Sequence, residues 1–204
     1  MTRIFLIRHG ETEWNASGRL QGNSNVQLSM VGLHQARLLA MHAPFHTVDA
    51  IYSSDLIRAK ATADILAARF NLKVQQVPEL REASFGDWEG QSIKTLVEES
   101  PDDFEKFFTA PELCKPPHGE TFADCQTRVV NAVRKIVAEN EDNNRVIIVS
   151  HGAAIRLLLC AALGMPIHKM WAIAQFNMAL NVLRVDDGSV TVEMMNSTMH
   201  LYSF

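Results

Sequence analysis

The sequence predicts an α/β protein, specifically a three-layer α/β/α sandwich around a mostly parallel central sheet with an antiparallel edge strand. Short runs of branched apolar residues alternate along the chain with segments of helical periodicity. The runs are almost continuously apolar, which is typical of strands covered by helices on both faces. Because ligands bind such sheets at the carboxyl ends of the strands, functional residues are expected there.

The predicted strands are apolar runs bounded by polar residues or glycine. The first four are residues 4–7, 50–53, 74–77 and 146–149. Two later runs, ALNVLRV and VTVEMM, flank Asp186, Asp187, Gly188 and Ser189, a hairpin signal. This hairpin supplies the antiparallel edge.

Three helices are predicted from apolar residues that recur every three or four positions. The first spans residues 54–70, with Ser54 as its N-cap. The second begins at Thr121, where TFAD fits a capping box between Thr121 and Asp124. The third, residues 153–163, is apolar nearly all round and is therefore expected to be buried.

The bulk composition predicts one domain, residues 1–204, since 204 residues with 47% hydrophobic and 21% charged positions suit one sizeable core. The least regular segment, residues 84–120, is interpreted as a cap-like insertion over the active site. No apolar run reaches the roughly 18 residues of a membrane span, and the N-terminus has no signal-peptide pattern, so a cytoplasmic location is expected.

Charge and cysteine usage exclude several function classes. The formal net charge is −4 without a long basic run, which gives no support to binding of nucleic acid or an anionic membrane. The three cysteines form no C-x-x-C pair and are interpreted as free structural thiols. His42 and His46 are four residues apart, but Pro44 interrupts a helical pair, so no metal site is predicted.

Two strands end on the same signature. IFLIRHG and VIIVSHG are apolar runs that stop at His9 and His151, each followed by glycine. In a parallel sheet these ends share one edge, where a helix N-terminus favours an anion. Gly10 and Gly152 are expected to let a ligand approach the backbone.

Two arginines are predicted to join the histidines at this edge. Arg8 directly precedes His9, and Arg58 lies in the first turn of the helix after residues 50–53. The planar donor fork of arginine suits phosphate oxygens. The four side chains therefore predict a local anion pocket in an acidic protein.

Six motifs in order resemble those of the histidine phosphatase superfamily, also called the phosphoglycerate mutase-like family, over almost the whole chain. They are LIRHGETEWN (6–15), GRLQG (18–22), SSDLIRAKATA (53–63), LREASFGDWEG (80–90), HGETFAD (118–124) and VIIVSHG (146–152).

The resemblance implies a role for each residue of the predicted pocket. His9 matches the nucleophile that becomes a phosphohistidine, and Arg8 and Arg58 match the arginines that hold the phosphoryl group. His151 matches the histidine that binds a phosphate oxygen in the transition state, and Glu82 matches the proton donor and acceptor.

The same resemblance supplies the remaining substrate contacts. Asn15 and Gln21 match polar residues that line the phosphate pocket, and the backbone of Gly152 is a further donor. The mechanism requires neither a metal nor another cofactor, and the expected partner is a small-molecule phosphomonoester.

The local chemistry is consistent with these roles. Histidine attacks phosphorus only when neutral, and nearby arginines lower its pKa. The arginines also balance charge on the phosphoryl oxygens. Partial shielding by SFGDW is expected to help Glu82 keep its proton for the leaving group. Within this segment, Phe85 and Trp88 are either substrate contacts or local core.

A hydrolase is favoured over a mutase because residues 83–88 lack the basic positions with which mutases grip the substrate carboxylate. Residues 84–120 also carry nine acidic and three basic residues, so a second anionic group is expected to meet few cations beyond the predicted four. The predicted function is metal-independent hydrolysis of a single-phosphate substrate.

The alternatives are a cofactor-dependent phosphoglycerate mutase and an α-ribazole-5′-phosphate phosphatase of cobalamin synthesis. A phosphosugar bisphosphatase requires basic residues elsewhere to fold inward. A catalytically inactive binding module is least favoured, because the full catalytic set is present. The physiological substrate and the oligomeric state stay open, a homodimer being one alternative.

Overall fold

A six-stranded mixed sheet forms the centre of the computed structural model, which describes residues 1–140 and 145–202. Its strands are β1 (Thr2–Arg8), β2 (Ala50–Ser53), β3 (Val74–Gln76), β4 (Arg145–Ser150), β5 (Leu180–Asp186) and β6 (Ser189–Ser197). The spatial order is β3-β2-β4-β1-β5-β6. The first four in this order run parallel, while β5 and β6 are antiparallel at one edge. This confirms the predicted fold class.

Helices cover both faces of the sheet. They are α1 (Glu13–Ala16), α2 (Met30–His42), α3 (Ile57–Phe70), α4 (Ile93–Glu99), α5 (Pro101–Thr109), α6 (Phe122–Glu139) and α7 (Gly152–Ala162). Ile4 and Leu6 of β1 pack with α6 and α7 on one face, while Phe5 and Ile7 pack with α2 and α3 on the other. The alternation of side chains along a strand thus produces two cores.

Short 3₁₀ turns fill several connections between these elements. They are Pro78–Leu80, Gly86–Trp88, Pro111–Leu113, Ile167–Ala172 and Met199–Leu201. The predicted hairpin is confirmed: Asp187 and Gly188 have φ values of 47° and 76° between β5 and β6. Positive φ at both central residues matches the twist of the flanking strands.

Two predicted helix starts need correction. Helix α3 begins at Ile57, and its N-cap is Leu56, so the prediction for Ser54 was wrong. The Ser54 hydroxyl instead accepts the Leu56 backbone N–H at 3.2 Å, closing a turn before the helix. Thr121 is the N-cap of α6, as predicted. The Asp124 carboxylate, however, accepts a hydrogen bond from the Thr121 hydroxyl at 2.6 Å instead of one from the Thr121 backbone N–H, so a full capping box is not formed.

Residues 84–120 are more regular than expected, because they contain α4 and α5. Phe104 and Phe107 of α5 are buried and stack at a centroid distance of 5.4 Å. Trp88 packs edge-on against Phe104 at 5.5 Å, and Phe85 packs against Phe107 at the same distance. An aromatic cluster therefore anchors this segment to the face that α6 and α7 cover.

The cysteines Cys114, Cys125 and Cys160 are free and buried, as predicted. Within residues 1–140 and 145–202, no helix combines the length and the apolar character needed to cross a membrane.

Candidate active site

The ends of β1 and β4 bring His9 and His151 together. These strands pair in parallel with Arg8 opposite Ser150, and the His9 backbone N–H donates to the Ser150 carbonyl at 3.0 Å. The two imidazole centroids are 5.1 Å apart, with the rings tilted by 56°. Both side chains are buried, at 2% and 0% exposure. The predicted pairing of the two strand ends is thus present.

The hydrogen bonds of His9 fix its tautomer. Nδ1 lies 2.7 Å from the Gly10 carbonyl oxygen, which can only accept, so Nδ1 carries the proton. Nε2 accepts from Nε–H of Arg58 at 3.3 Å. His9 is therefore held as a neutral imidazole whose Nε2 lone pair is directed at the arginine side of the site.

Both histidines resist protonation. Burial lowers the pKa of His9 well below its usual range, and the charges of Arg58 and Arg8 lower it further. Burial also lowers the pKa of His151, with Arg58 as the next cause. Both His151 nitrogens are without a hydrogen-bond partner among the described residues.

Arg58 is completely buried and fixed by backbone carbonyls. Its Nη1 and Nη2 donate to the carbonyls of Ser24 and Gly22, each at 2.7 Å. Burial lowers its pKa to about 10, so it stays cationic at neutral pH. Thr62, one turn later on α3, accepts the Gly10 N–H at 3.1 Å and donates to the Arg58 carbonyl at 2.8 Å. Helix α3 thereby holds both the arginine and the backbone after His9.

Glu89 supports Arg58 indirectly. Its carboxylate accepts the N–H groups of Asn23 and Phe85 at 2.9 and 3.1 Å and the Ser24 hydroxyl at 2.7 Å. Glu89 therefore connects two segments. One is the loop whose Gly22 and Ser24 carbonyls bind Arg58, and the other is the segment that follows Glu82. Thr62 and Glu89 both lie inside the quoted motifs, yet sequence reasoning missed their structural use.

Arg8 depends on a buried amide pair. Its Nη1 donates to the backbone carbonyl of Gln175 at 2.5 Å. The Gln175 side chain exchanges two hydrogen bonds with Asn181, at 2.8 and 3.0 Å, and Asn181 also donates to the Leu6 carbonyl at 3.1 Å. Burial, followed by repulsion from Arg156, lowers the pKa of Arg8 to about 10. No sequence motif indicated this support.

Glu82 lies on the N-terminus of α7. One carboxylate oxygen accepts the N–H groups of Ala83 and Ala154 at 3.1 and 3.0 Å, and the other accepts that of Ala153 at 3.1 Å. The helix N-terminus was predicted to serve the ligand, but Glu82 occupies two of its donors instead. This carboxylate is a built-in anion at a helix start.

A cavity of about 170 Å³ lies at this edge of the sheet. Seven of the eight predicted site residues line it: Arg8, His9, Asn15, Gln21, Arg58, Glu82 and Gly152. His151 lies beside His9 but is not part of the cavity wall. The reason given for Gly10 was wrong, because a Cβ there meets the Gly32 carbonyl oxygen at 2.7 Å, so the close approach is to α2 rather than to a ligand.

The two predicted polar contacts differ in how much of each amide is free. Asn15 Oδ1 accepts from the N–H and hydroxyl of Thr12 at 3.2 and 3.0 Å and from Asn177 at 3.2 Å, so its Nδ2 is the atom left for a ligand. Gln21 Oε1 is buried and has no partner among the described residues. Gln21 is therefore the less constrained of the two.

The cavity wall also contains residues that sequence reasoning missed. They include two further cations, Arg19 and Arg156, and the aromatic residues Phe107, Phe108 and Trp171. The expectation of few cations beyond the predicted four was therefore wrong, because both arginines come from outside residues 84–120. Arg156 is the only charged residue in the α7 sequence GAAIRLLLCAA, a signal that could have revealed it. Phe85 is at once core and cavity wall, whereas Trp88 belongs to the core.

The described parts of the chain hold no group of three or more His, Cys, Asp or Glu side chains that could bind a metal ion.

Comparison with known proteins gives a consistent result. The model of the histidine phosphatase superfamily (branch 1) matches residues 4–198. Phosphoserine phosphatase 1 of Hydrogenobacter thermophilus is 33% identical over 204 residues, covering 100% of this chain and 96% of the relative. A probable phosphoglycerate mutase, GpmB, of Yersinia enterocolitica is 37% identical, covering 82% of this chain and 78% of the relative.

A solved structure adds a ligand complex among the relatives. A phosphoserine phosphatase variant from Entamoeba histolytica, in complex with phosphoserine, superimposes with a TM-score of 0.89 at 30% identity, covering 99% of this chain and 100% of that one. The order of the motifs, the fold and these matches agree. The chain belongs to the histidine phosphatase superfamily, branch 1, and is a phosphatase of the histidine phosphatase type.

Proposed function

We propose that the protein hydrolyses a small phosphomonoester through a phosphohistidine on His9, without a metal ion. The observation that carries this proposal is the neutral imidazole of His9, whose Nε2 lies 3.3 Å from Arg58 Nε at the wall of a cationic cavity. A neutral nucleophile beside two buried guanidinium groups suits attack on a phosphate.

In the first step, Nε2 of His9 forms a bond to phosphorus while the ester P–O bond breaks. As the phosphoryl group approaches, the Nε–H of Arg58 passes its hydrogen bond from Nε2 to a phosphoryl oxygen, which frees the lone pair, while Nη1 and Nη2 keep their carbonyls. Arg8, Arg58 and His151 stabilise the charge on the phosphoryl oxygens. His151 does not line the cavity but lies next to His9, so its predicted role requires a phosphoryl oxygen to come within reach of the His151 ring.

Glu82 supplies the proton for the leaving oxygen in this step. Its Oε2 accepts one N–H group, whereas Oε1 accepts two, so Oε2 is the oxygen with a lone pair free to carry this proton. In the second step, the Glu82 carboxylate takes a proton from water, the water oxygen bonds to phosphorus, and the Nε2–P bond breaks. Phosphate and a neutral His9 result.

The cavity favours a small substrate. Its volume of about 170 Å³ is well below that of sites for drug-sized ligands, which are roughly 300–1,000 Å³. A larger ester such as α-ribazole phosphate would have to extend beyond this volume through the open side of the cavity. Phosphoserine is the first candidate, since the Hydrogenobacter relative is a phosphoserine phosphatase.

Residues 84–120 contribute the leaving-group side of this site. Phe85, Phe107 and Phe108 line the cavity, and the aromatic cluster anchors them to the sheet. This placement supports the cap-like role proposed for the segment within one domain.

Mutase activity is the second candidate, because Arg19 and Arg156 supply cations for a second anionic group and GpmB of Yersinia is among the relatives. One experiment separates the two. Purified protein is incubated with phosphoserine, p-nitrophenyl phosphate and 3-phosphoglycerate, with and without a chelator. Hydrolysis that is unchanged by the chelator supports the proposal. Loss of activity with the chelator refutes the metal-free mechanism, and interconversion of 2- and 3-phosphoglycerate faster than hydrolysis identifies a mutase.

A further inference from the structure

Arg156 lies beside Arg8 in the part of the cavity that is predicted to bind phosphate, but it is not one of the predicted catalytic residues. It is one helical turn after Gly152 on α7 and lines the cavity. A Cβ placed on Gly152 would lie 3.2 Å from Arg156 Nη1 and 3.4 Å from Arg8 Nε. The two guanidinium groups therefore flank the same glycine, and that of Arg156 also contacts Trp171 of the cavity wall.

The side chain of Arg156 is held in place from behind. Its Nε donates to the Ile173 carbonyl at 2.8 Å, and its Cζ lies 5.1 Å from the centroid of the Trp171 ring. Trp171 is fixed in turn by donation from its Nε1 to the Phe107 carbonyl at 2.5 Å. A guanidinium stacked and bonded in this way has little freedom to turn away from the cavity.

The outer nitrogens of Arg156 are uncommitted. Neither Nη1 nor Nη2 has a hydrogen bond or a carboxylate within 4.0 Å in the part of the chain that the structure describes. By contrast, Arg128 on α6 is half-buried as well but pairs with Glu120. A fixed guanidinium without an ion-pair partner, at a cavity wall, is suited to an anionic ligand group, although the more distant Glu82 also acts on its charge.

The position of Arg156 favours the leaving group over the phosphoryl group. Arg8, Arg58 and His9 already surround the site where phosphorus must lie for attack by Nε2. Arg156 flanks Gly152 together with Arg8 and also stacks on Trp171, whose ring lies 4.9 Å from that of Phe107. It therefore connects that site with the aromatic residues of the cavity wall, along which the rest of the substrate can extend. The planar Nη pair matches the two oxygens of a carboxylate.

We infer that Arg156 is a specificity-determining residue that binds a carboxylate on the leaving group of the substrate. The preferred substrates are then phosphomonoesters of small hydroxy acids or hydroxyamino acids. This inference rests on the proposed hydrolysis and adds to it the residue that selects the substrate.

The test compares two substrates that differ only in the carboxylate, phosphoserine and phosphoethanolamine. Wild-type protein is expected to favour phosphoserine in kcat/KM by about 10- to 100-fold, the range of one charge-assisted hydrogen-bonded pair. Arg156→Gln is expected to bring the two substrates within about threefold of each other, and Arg156→Lys to retain part of the preference. Arg134→Gln, which removes an exposed cation of α6, is the matched control and keeps the wild-type ratio.

The ratio distinguishes this inference from a general loss of folding or catalysis. The inference is overturned if wild type does not discriminate between the two substrates, or if Arg156→Gln slows both equally. It is also overturned if Arg19→Gln, which removes the other additional cation of the cavity wall, abolishes the preference while Arg156→Gln keeps it. Failure of the proposed function gives a different result, because wild type then releases no phosphate even from p-nitrophenyl phosphate.

Discussion

The two ends of the cavity are built from different kinds of structure. The phosphate end consists of strand termini and the first turn of α3. Its key groups His9, His151 and Arg58 are buried, and hydrogen bonds hold His9 and Arg58. The leaving-group end combines aromatic rings with Arg19 and Arg156, drawn from separate parts of the chain. In the proposed mechanism, the chemistry therefore depends on residues of local motifs, whereas the inferred substrate choice depends on residues that only the tertiary structure brings together.

The largest effect is expected at the phosphate end. His9→Ala removes the nucleophile of the proposed mechanism, so kcat should fall on the order of 10⁴-fold or more, as for other nucleophiles that act with partners. Steady-state hydrolysis of phosphoserine measures this loss, with His34→Ala on the exposed face of α2 as control. If the His9→Ala protein retains one-tenth of wild-type activity, the phosphate end does not carry the chemistry.

Glu82 connects the two ends, so its effect should depend on the leaving group. Glu82→Gln cannot donate the proton, and kcat for phosphoserine should fall by about 10²–10⁴. For p-nitrophenyl phosphate, whose leaving group departs without a proton, the fall should be about tenfold or less. Equal losses on both substrates would show that Glu82 acts only by holding the start of α7.

A smaller effect is expected behind Arg8. Asn181→Leu leaves the buried amide of Gln175 without its partner, which should cost about 1–3 kcal/mol of unfolding free energy. The Gln175 carbonyl then holds Arg8 less firmly, and kcat/KM should fall roughly tenfold. Urea unfolding and kinetics on the folded variant measure the two effects, with the exposed Asn131→Leu of α6 as control. An unchanged kcat/KM would limit Asn181 to a role in stability.

The smallest effect is expected from mild acid. Because the pKa values of His9 and His151 are lowered, both rings should stay neutral between pH 7.5 and 5.5, and their imidazole NMR signals should move little compared with free histidine in the same buffer. The unfolded chain takes up protons near pH 6.5 while the folded chain does not, so stability should decrease as the pH falls through that range. Titration of His9 near pH 6.5 would show that the phosphate end is less sealed than the structure indicates.

The sequence predicted more of the phosphate end than of the leaving-group end, for a physical reason. His9 and His151 follow apolar runs that the sequence reveals directly, and parallel pairing then places them side by side. The contacts of Glu82 with the start of α7 join residues that are 71 and 72 positions apart, and neither segment shows them alone.

The other omissions have the same origin. Gln175 and Asn181 look like ordinary polar residues until the sheet brings their amides together. The N-cap of α3 differed from the prediction because the hydroxyl of Ser54 closes a local turn, a choice that the periodicity of the helix does not encode.

The proposed mechanism requires His9 to carry the phosphoryl group as a covalent intermediate. Rapid quenching of the enzyme with ³²P-labelled phosphoserine, followed by peptide mapping of the labelled protein, tests this directly. We expect a phosphate linkage that is labile in acid and stable in base, located on the peptide that contains His9 and lost in His9→Ala. A wild-type enzyme that hydrolyses the substrate in single turnover without such a linkage, or that carries the label on another residue, would contradict it.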